Sequence, residues 1–243
     1  MAKKPVMCAS GVLGSHLTRQ LVAAGEDVWV FIRPTSSGRA SEGLDVERHF
    51  GDLFDGDTVK KAMAGCDVVY YCVVDARAWL INTTPIWRTN VDALSEVLIE
   101  AFAADLDRFV FTSTIGSMGI SNDAAVDENA PHNWAHRGGD YVRTRVLAER
   151  KVMDFCRLGL LGVAMCVANT YGPGDWLPTP HGAVLAAAAH GQLSFYVDSA
   201  AEVVGIEDAA RALILAGDKG AIGHRCIVSD RYMTTRELSE TAC

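Results

Sequence analysis

The chain has 243 residues, 49% of them hydrophobic, which is enough to bury one sizeable core. Its formal net charge is -8, with acidic residues spread along the chain, so a nucleic-acid partner is not expected. No apolar run is long enough to cross a bilayer, so no membrane partner is expected. The seven cysteines form neither a C-x-x-C pair nor a zinc-type cluster, which predicts reduced thiols in the cytoplasm and no metal site.

The stretch "VMCASGVLGSHL" (6–17) predicts a strand, a glycine-bearing turn and a helix. Leu13, Leu17 and Leu21 recur at helical spacing, and backbone N–H groups at the start of such a helix can hold a pyrophosphate. The turn residues expected to bind a dinucleotide are Ser10, Gly11, Val12, Leu13 and Gly14. Two positions depart from the usual pattern, because Cys8 replaces the first glycine and Pro5 removes a hydrogen-bond donor from the strand.

The second predicted strand, "VWVFI" (28–32), is followed directly by Arg33. A basic residue at this point can face a ribose 2′-phosphate, whereas an acidic one would bind the free 2′-hydroxyl of NAD. Arg33 therefore favours NADP(H), with NAD(H) still possible, unless it is only a solvated arginine at a strand end. After a third strand, "FGDLFD" places Asp52 and Leu53 within reach of an adenine ring, although Asp52 is also a typical turn residue.

Three further apolar blocks predict buried parallel strands: "DVVYYCVV" (67–74), "RFVFTS" (108–113) and "LLGVAMCVA" (160–168). The apolar residues Trp87, Val91, Leu94, Leu98 and Ala101 predict an intervening helix. Strands that alternate with helices indicate an α/β fold, a doubly wound parallel sheet of the Rossmann type.

The Pro/Gly-rich stretch "NTYGPGDWLPTPHG" (169–182) is the clearest break in composition. We expect residues 1–170 to form an NAD(P)-binding core and residues 171–243 a small substrate-side segment, interleaved with the last core elements. The final strand "CIVSD" (226–230) and a capped helix then stop abruptly, so this lobe is expected to be truncated.

Chemistry is predicted near the start of a helix in "GGDYVRTRVLAERKV", where Tyr141 and Arg145 are four residues apart and share one face. A phenol is a poor acid-base catalyst near neutral pH unless a cation stabilises its phenolate, and Arg145 can supply that charge. The alternative is an exposed pair on an amphipathic helix. Thr114 ends a predicted strand in "FVFTSTIGSMG", where its hydroxyl either binds a substrate oxygen or stabilises a turn.

In combination, "CASGVLGSHL", "TNVDALSEVLIEA", "FVFTSTIGSMG", "YVRTR", "NTYGPGD" and "VGIEDAARA" resemble the extended short-chain dehydrogenase/reductase superfamily, in particular its NAD(P)-dependent epimerase/dehydratase group. Within that group, "IRPTSS", "GLDVE" and "DARAWL" are most similar to dihydroflavonol-reductase-like proteins and hopanoid-associated sugar epimerases. The resemblance covers nearly the whole chain.

The resemblance implies a tightly held nicotinamide cofactor and a Ser/Thr-Tyr-Lys catalytic set at Thr114, Tyr141 and Arg145. It also places Val73 beside the cofactor and Asn169 beside the substrate. Three positions depart from the family pattern, and these are Arg145 in place of the lysine, Cys8 in place of a glycine and Gly205 in place of a common histidine. Relatives also continue beyond the point where this chain stops.

Three functions are compatible with these residues. The first is an oxidoreductase that transfers a hydride between nicotinamide and a carbonyl or alcohol substrate, and the second is a nucleotide-sugar epimerase or dehydratase with bound NAD. The third is a nucleotide-binding protein with impaired catalysis. The expected partner is a small molecule, and the helices over 86–103 and 140–158 either pair two copies in a homodimer or pack on the sheet alone.

Overall fold

The structure is a computed structural model that describes residues 3–7, 9–121, 123–176, 178–193 and 195–242. Ten strands occur within these ranges: β1 (Val6–Met7), β2 (Trp29–Ile32), β3 (Glu47–Phe50), β4 (Val68–Tyr71), β5 (Arg108–Thr114), β6 (Gly162–Val167), β7 (Asn169–Tyr171), β8 (Ala200–Gly205), β9 (Arg225–Val228) and β10 (Arg231–Thr234). Eight α-helices occur in the same described ranges: α1 (Val12–Ala23), α2 (Gly56–Met63), α3 (Thr84–Trp87), α4 (Ala93–Ala103), α5 (Asp140–Leu158), α6 (Pro180–Ala189), α7 (Ile206–Lys219) and α8 (Thr235–Ala242).

The larger sheet contains seven parallel strands among the described residues, in the order β3-β2-β1-β4-β5-β6-β9. The chain order reverses between β1 and β4, which is where open α/β sheets bind ligands beyond the carboxyl ends of their strands. This arrangement confirms the predicted doubly wound Rossmann fold.

The core lies on both faces of this sheet because alternate strand residues point in opposite directions. Val6 and Val30 pack with residues of α1 and α7 on one face, whereas Met7 and Phe31 pack with residues of α2, α4 and α5 on the other. All four residues of β4 are buried, so its sequence is continuously apolar instead of alternating.

Two irregularities of the first strand were expected from the sequence. Pro5 precedes β1, where its carbonyl accepts a hydrogen bond from Tyr70 N at 3.0 Å, and Lys4 N donates to Asp27 O at 2.9 Å. Pairing with both neighbouring strands therefore continues around Pro5, and the interruption is limited to its missing N–H. Cys8, at the expected glycine position, lies outside the described residues.

The helix predicted across Trp87 to Ala101 is not continuous. A π-helical segment, Arg88–Asp92, separates α3 from α4 and contains the buried Asn90. One extra residue per turn rotates the following side chains around the helix axis, and such segments are frequent at functional sites. Apolar spacing alone does not predict this feature.

A second sheet of three strands in the described ranges, in the order β10-β8-β7, was not predicted. β7 pairs with β8 in parallel, and β10 pairs with β8 in antiparallel orientation. Between β8 and β10 the chain returns to the larger sheet through α7 and β9. Helix α7 is bound to α1 there, because Gln20 Nε2 of α1 donates to Glu207 O of α7 at 2.9 Å.

None of the described helices combines the length and apolarity needed to span a bilayer. The part of the chain that the structure describes also brings together no group of three His, Cys, Asp or Glu side chains suited to a metal ion.

Candidate functional site

The predicted dinucleotide turn forms the entry to α1. Gly11 is the N-cap with φ -81° and ψ 163°, and its carbonyl accepts the first helical hydrogen bond from Ser15 N at 2.9 Å. Because Gly11 has no side chain, nothing from the cap residue itself covers the N–H groups of Val12 and Leu13. Gly14 is buried, as expected for close packing of helix and strand. This helix end can therefore bind an anion.

Beside this turn, a cavity of about 380 Å³ in volume faces the small sheet, and a second of about 530 Å³ faces the ends of β2, β3 and β4. The larger one is called the edge cavity below. It brings together five of the predicted cofactor residues: Ser10, Arg33, Asp52, Leu53 and Val73. Its walls also include the apolar rings of Phe31 and Phe54. The fold thus gathers residues that are far apart in sequence at one edge of the sheet.

Asp52 and Leu53 follow β3 and line the edge cavity side by side. Asp52 Oδ1 accepts a hydrogen bond from Phe54 N at 3.1 Å, so Asp52 is a turn residue as well as a cavity residue. Leu53 is half-buried and packs on the core, which leaves an apolar surface suited to the face of a base. The two interpretations weighed for Asp52 are therefore compatible.

Asp75 and Arg77, which the sequence analysis did not identify as site residues, form an ion pair in the edge cavity. The Arg77 guanidinium donates from Nε to Oδ1 at 2.8 Å and from Nη2 to Oδ2 at 2.6 Å. These hydrogen bonds hold the pKa of the Asp75 carboxyl below its usual range, and the charge of Arg33 acts in the same direction. Arg33 and Arg77 therefore both act electrostatically on Asp75.

Asn90 connects this pair to α5. It is 1% exposed, accepts a hydrogen bond from Asp75 N at 2.7 Å, and donates from Nδ2 to Asp75 O at 3.0 Å and to Thr144 Oγ1 at 3.1 Å. Thr144 in turn donates to Tyr141 O at 2.7 Å. The sequence analysis did not identify Asn90, and the signal that could have found it is an asparagine in an otherwise apolar helix stripe.

Tyr141 lies in the first turn of α5 and is half-buried. The preceding residue, Asp140, accepts a hydrogen bond from Thr83 Oγ1 at 2.6 Å, which fixes the start of α5 to the segment after β4. This hydroxyl and neighbouring donors hold the pKa of Asp140 below its usual value. The Tyr141 hydroxyl makes no hydrogen bond to the described part of the chain, so it can meet a substrate oxygen.

Arg145 is 2% exposed, so the alternative of a solvent-exposed arginine on this helix is wrong. Its Nη2 donates to Thr112 O, and its Cζ lies 5.0 Å from the centre of the Phe111 ring. Nε and Nη1 are buried without partners among the described residues. Buried N–H groups that lack a partner are costly, so these two groups are available as donors to a ligand.

Thr114 ends β5, and its hydroxyl accepts a hydrogen bond from Gly116 N at 3.1 Å. This bond starts the short 3-10 turn Ile115–Ser117, so the turn role considered for Thr114 is real. A hydroxyl that accepts here still has a proton to donate to a substrate oxygen. Thr114 therefore combines a turn role with a position next to the strand end.

The buried carboxylate of Glu149 fixes the middle of α5 to the turn after β5. Its Oε2 accepts hydrogen bonds from Ser113 at 2.5 Å and from Ser117 at 2.6 Å, and its Oε1 accepts one from Arg225 Nη1 at 3.2 Å. Glu149 is only 5% exposed. Asp140 and Glu149 thus hold α5 on either side of Arg145.

Asn169 begins β7 and is half-buried, with its Cα paired to that of Val203 in β8. Asn169 does not line the 380 Å³ cavity. The next residue, Thr170, does line it, together with Val12 of the dinucleotide turn. Gly205 is the exposed N-cap of α7 and makes no side-chain cap there. The substrate-side residues are therefore less closely assembled than those of the edge cavity.

A dinucleotide cofactor fits these features. The open helix end at Gly11, the edge cavity and the two unpartnered N–H groups of Arg145 offer donors for phosphate and ribose oxygens. An arginine differs from the family's lysine in its planar shape, and it is accommodated here by the ring of Phe111.

Residues 6–228 match the family model described as "NAD dependent epimerase/dehydratase family". The chain is 32% identical to sterol demethylase protein B of Methylococcus capsulatus over 95% of its own length and 70% of the relative's. It is 26% identical to a putative dihydroflavonol 4-reductase of Synechocystis over 94% of its length and 66% of that protein.

Among solved structures, the chain resembles gox2253 with a TM-score of 0.94 and 26% identity, covering 100% of this chain and 74% of the other. The dTDP-glucose 4,6-dehydratase DesIV of Streptomyces venezuelae, solved with NAD and TYD bound, gives a TM-score of 0.88 at 20% identity, covering 99% of this chain and 80% of that one. The second likeness concerns the fold alone.

Proposed function

Because the chain belongs to the NAD-dependent epimerase/dehydratase family and is an NAD(P)-dependent enzyme of the extended short-chain dehydrogenase/reductase type, we propose that it reduces a carbonyl substrate with NADPH. The observation that carries the choice of cofactor is Arg33, which directly follows β2 and lines the edge cavity together with Ser36. A guanidinium and a hydroxyl at this place suit a 2′-phosphate better than a free 2′-hydroxyl.

The proposed binding roles follow the geometry of the described residues. Gly11, Val12 and Leu13 would offer backbone N–H groups to the pyrophosphate, and Leu53 and Val73 would flank the adenine. Arg145 would donate to ribose oxygens from its buried Nε and Nη1. When bound, NADPH supplies the hydride that the protein itself cannot provide.

The chain's own contribution to the reaction is proton transfer and charge stabilisation. Tyr141 would donate its hydroxyl proton to the carbonyl oxygen as the hydride reaches the carbon, and Thr114 would hydrogen-bond the same oxygen. The buried cation of Arg145, one helical turn from Tyr141, would stabilise the phenolate that remains. Asp140 and Glu149 keep α5 in place while the proton moves.

The substrate side rests on the division of the chain into a nucleotide-binding core, 1–170, and a substrate-side segment, 171–243. Asn169 would contact the substrate at the junction of the two. The names of two relatives, a sterol demethylase protein and a dihydroflavonol reductase, favour a carbonyl or alcohol substrate over a sugar nucleotide.

We further propose that two copies pair through α4 and α5. Ile99 and Phe102 of α4 and Leu158 of α5 are 53%, 48% and 70% exposed, and a homodimer would cover these apolar side chains. We place the protein in the cytoplasm, where thiols such as those of Cys66 and Cys166 stay reduced.

The test is a titration with NADPH and NADH followed by a panel of carbonyl compounds. It compares Tyr141→Phe with Tyr196→Phe, which changes a tyrosine of the substrate-side segment. We expect tighter binding of NADPH, its stoichiometric oxidation by a carbonyl compound, and loss of turnover without loss of NADPH binding in Tyr141→Phe only. Conversion of a sugar nucleotide with bound NAD and no net oxidation would identify an epimerase instead. Failure to bind either nucleotide would indicate a protein without this activity.

A further inference from the structure

We propose that Arg77 is a second guanidinium for the 2′-phosphate of NADPH and that Asp75 positions it. This inference rests on the proposed function and extends it from the end of β2 to the segment that follows β4. Neither residue belongs to the glycine turn, to the end of β2 or to the Thr114–Tyr141–Arg145 set.

The ion pair is built asymmetrically. The Asp75 side chain is 7% exposed and the Arg77 side chain 53%, so the carboxylate is fixed within the protein and the guanidinium extends towards the edge cavity. Two of the three guanidinium nitrogens, Nε and Nη2, bind Asp75. Nη1 has no partner in the described ranges, so this nitrogen can donate to a ligand.

Asp75 is itself held in place through its own backbone groups, which bind the side chain of Asn90. Its N–H donates to Asn90 Oδ1 at 2.7 Å and its carbonyl accepts from Asn90 Nδ2 at 3.0 Å. The buried Asn90 side chain thus fixes Asp75, and Asp75 in turn fixes Arg77. An arginine held by a bidentate carboxylate loses less rotamer freedom on binding a ligand than a free one.

Arg77 offsets the charge of a carboxylate that lines the edge cavity. Its charged lining residues are Arg33, Asp52, Asp75 and Arg77, and these four charges balance. Without Arg77 the cavity would carry a net negative charge, which disfavours a phosphate group. Arg33 and Arg77 line the same cavity, and the charge of Arg33 acts on the Asp75 carboxylate that holds Arg77. A phosphate bound in this cavity would take hydrogen bonds from both guanidinium groups.

The experiment measures dissociation constants of NADPH and NADH, by nucleotide fluorescence, for the wild-type chain and three variants. Arg77→Gln removes the guanidinium but leaves a buried carboxylate unpaired, which risks misfolding. The double variant Asp75→Asn/Arg77→Gln removes the guanidinium and keeps the charges of the cavity balanced. Arg231→Gln is the matched control, because Arg231 also pairs with an aspartate, at 2.8 Å, but lies on β10.

We expect the double variant to bind NADPH on the order of ten- to a hundredfold more weakly, the range for a charge-assisted hydrogen bond, with NADH affinity unchanged within about threefold. Arg231→Gln should leave both affinities unchanged. Equal weakening of NADPH and NADH would place Arg77 on the pyrophosphate and overturn the assignment. Unchanged NADPH binding would also overturn it, while a wild-type chain that binds neither nucleotide would refute the proposed function itself.

Discussion

Replacing Asn90 by alanine tests the network that joins the edge cavity to α5. The substitution removes three hydrogen bonds, to Asp75 N, Asp75 O and Thr144 Oγ1, at a site that is 1% exposed. A typical hydrogen bond contributes about 1 kcal/mol net, and a buried group left without a partner costs about 1–3 kcal/mol. We therefore expect the free energy of unfolding to fall by about 3–5 kcal/mol, a large loss for a single substitution.

The assay is urea unfolding followed by circular dichroism, with the free energy extrapolated to water at constant slope. Ser95→Ala is the control on the adjoining α4, because Ser95 Oγ makes only one hydrogen bond in the described ranges, to Val91 O at 2.8 Å, and its loss should cost about 1 kcal/mol. Asn90→Leu separates hydrogen bonding from volume, since it keeps a branched side chain and loses the same bonds. A loss below about 1 kcal/mol in Asn90→Ala, or recovery of stability in Asn90→Leu, would refute the network as a source of stability.

Three other predictions concern the cofactor, a thiol and the anchor of α5. Arg33→Glu should weaken NADPH binding by on the order of tenfold or more and favour NADH, measured by titration. Burial raises the pKa of Cys66 to about 12, so its thiol should resist a disulfide reagent at pH 8 until the chain unfolds. Arg225→Met should lower the free energy of unfolding by about 3–5 kcal/mol, because Glu149 is left as a buried carboxylate without its cation.

Each of these predictions has an outcome that contradicts it. Unchanged nucleotide preference in Arg33→Glu would mean that the end of β2 does not contact the ribose.

The raised pKa of Cys66 also predicts a pH effect on stability. The unfolded thiol ionises near its ordinary pKa of 9.0, whereas the folded thiol stays protonated up to about 12. The free energy of unfolding should therefore fall as the pH rises from about 9 towards 12. Cys66→Ala should reduce that fall.

Combining Arg225→Met with Glu149→Gln should restore part of the lost free energy of unfolding. No restoration would argue against the ion pair.

The larger sheet could be predicted because its central strands are buried on both faces. Such strands read as continuous apolar runs, and β4 with its four buried residues is the clearest example. The turn before α1 was equally accessible, since Gly11 caps the helix and Gly14 is buried within it. These features follow from composition and spacing over short stretches of chain.

The second sheet could not be predicted for the opposite reason. The three residues of β7 are half-buried, and β10 is mostly exposed, so neither has an apolar run or a strict alternation. The pairing of Asp75 with Arg77 and the burial of Arg145 also depend on how distant segments pack. Asn90 was visible as a polar residue in an apolar helix, but the π-helical segment that accompanies it was not.

On the proposed function, the attachments of α5 at Asp140 and Glu149 separate proton handling from molecular recognition. Asp140 connects the helix to the segment after β4, Glu149 connects it to β5, to the turn after β5 and to Arg225 of β9, and neither uses the three-stranded sheet or α6. On the proposed function, grafting a foreign segment into the three-stranded sheet or α6 is expected to change the compounds accepted while Tyr141 and Arg145 stay in place. Such grafts are a route to chimeric catalysts.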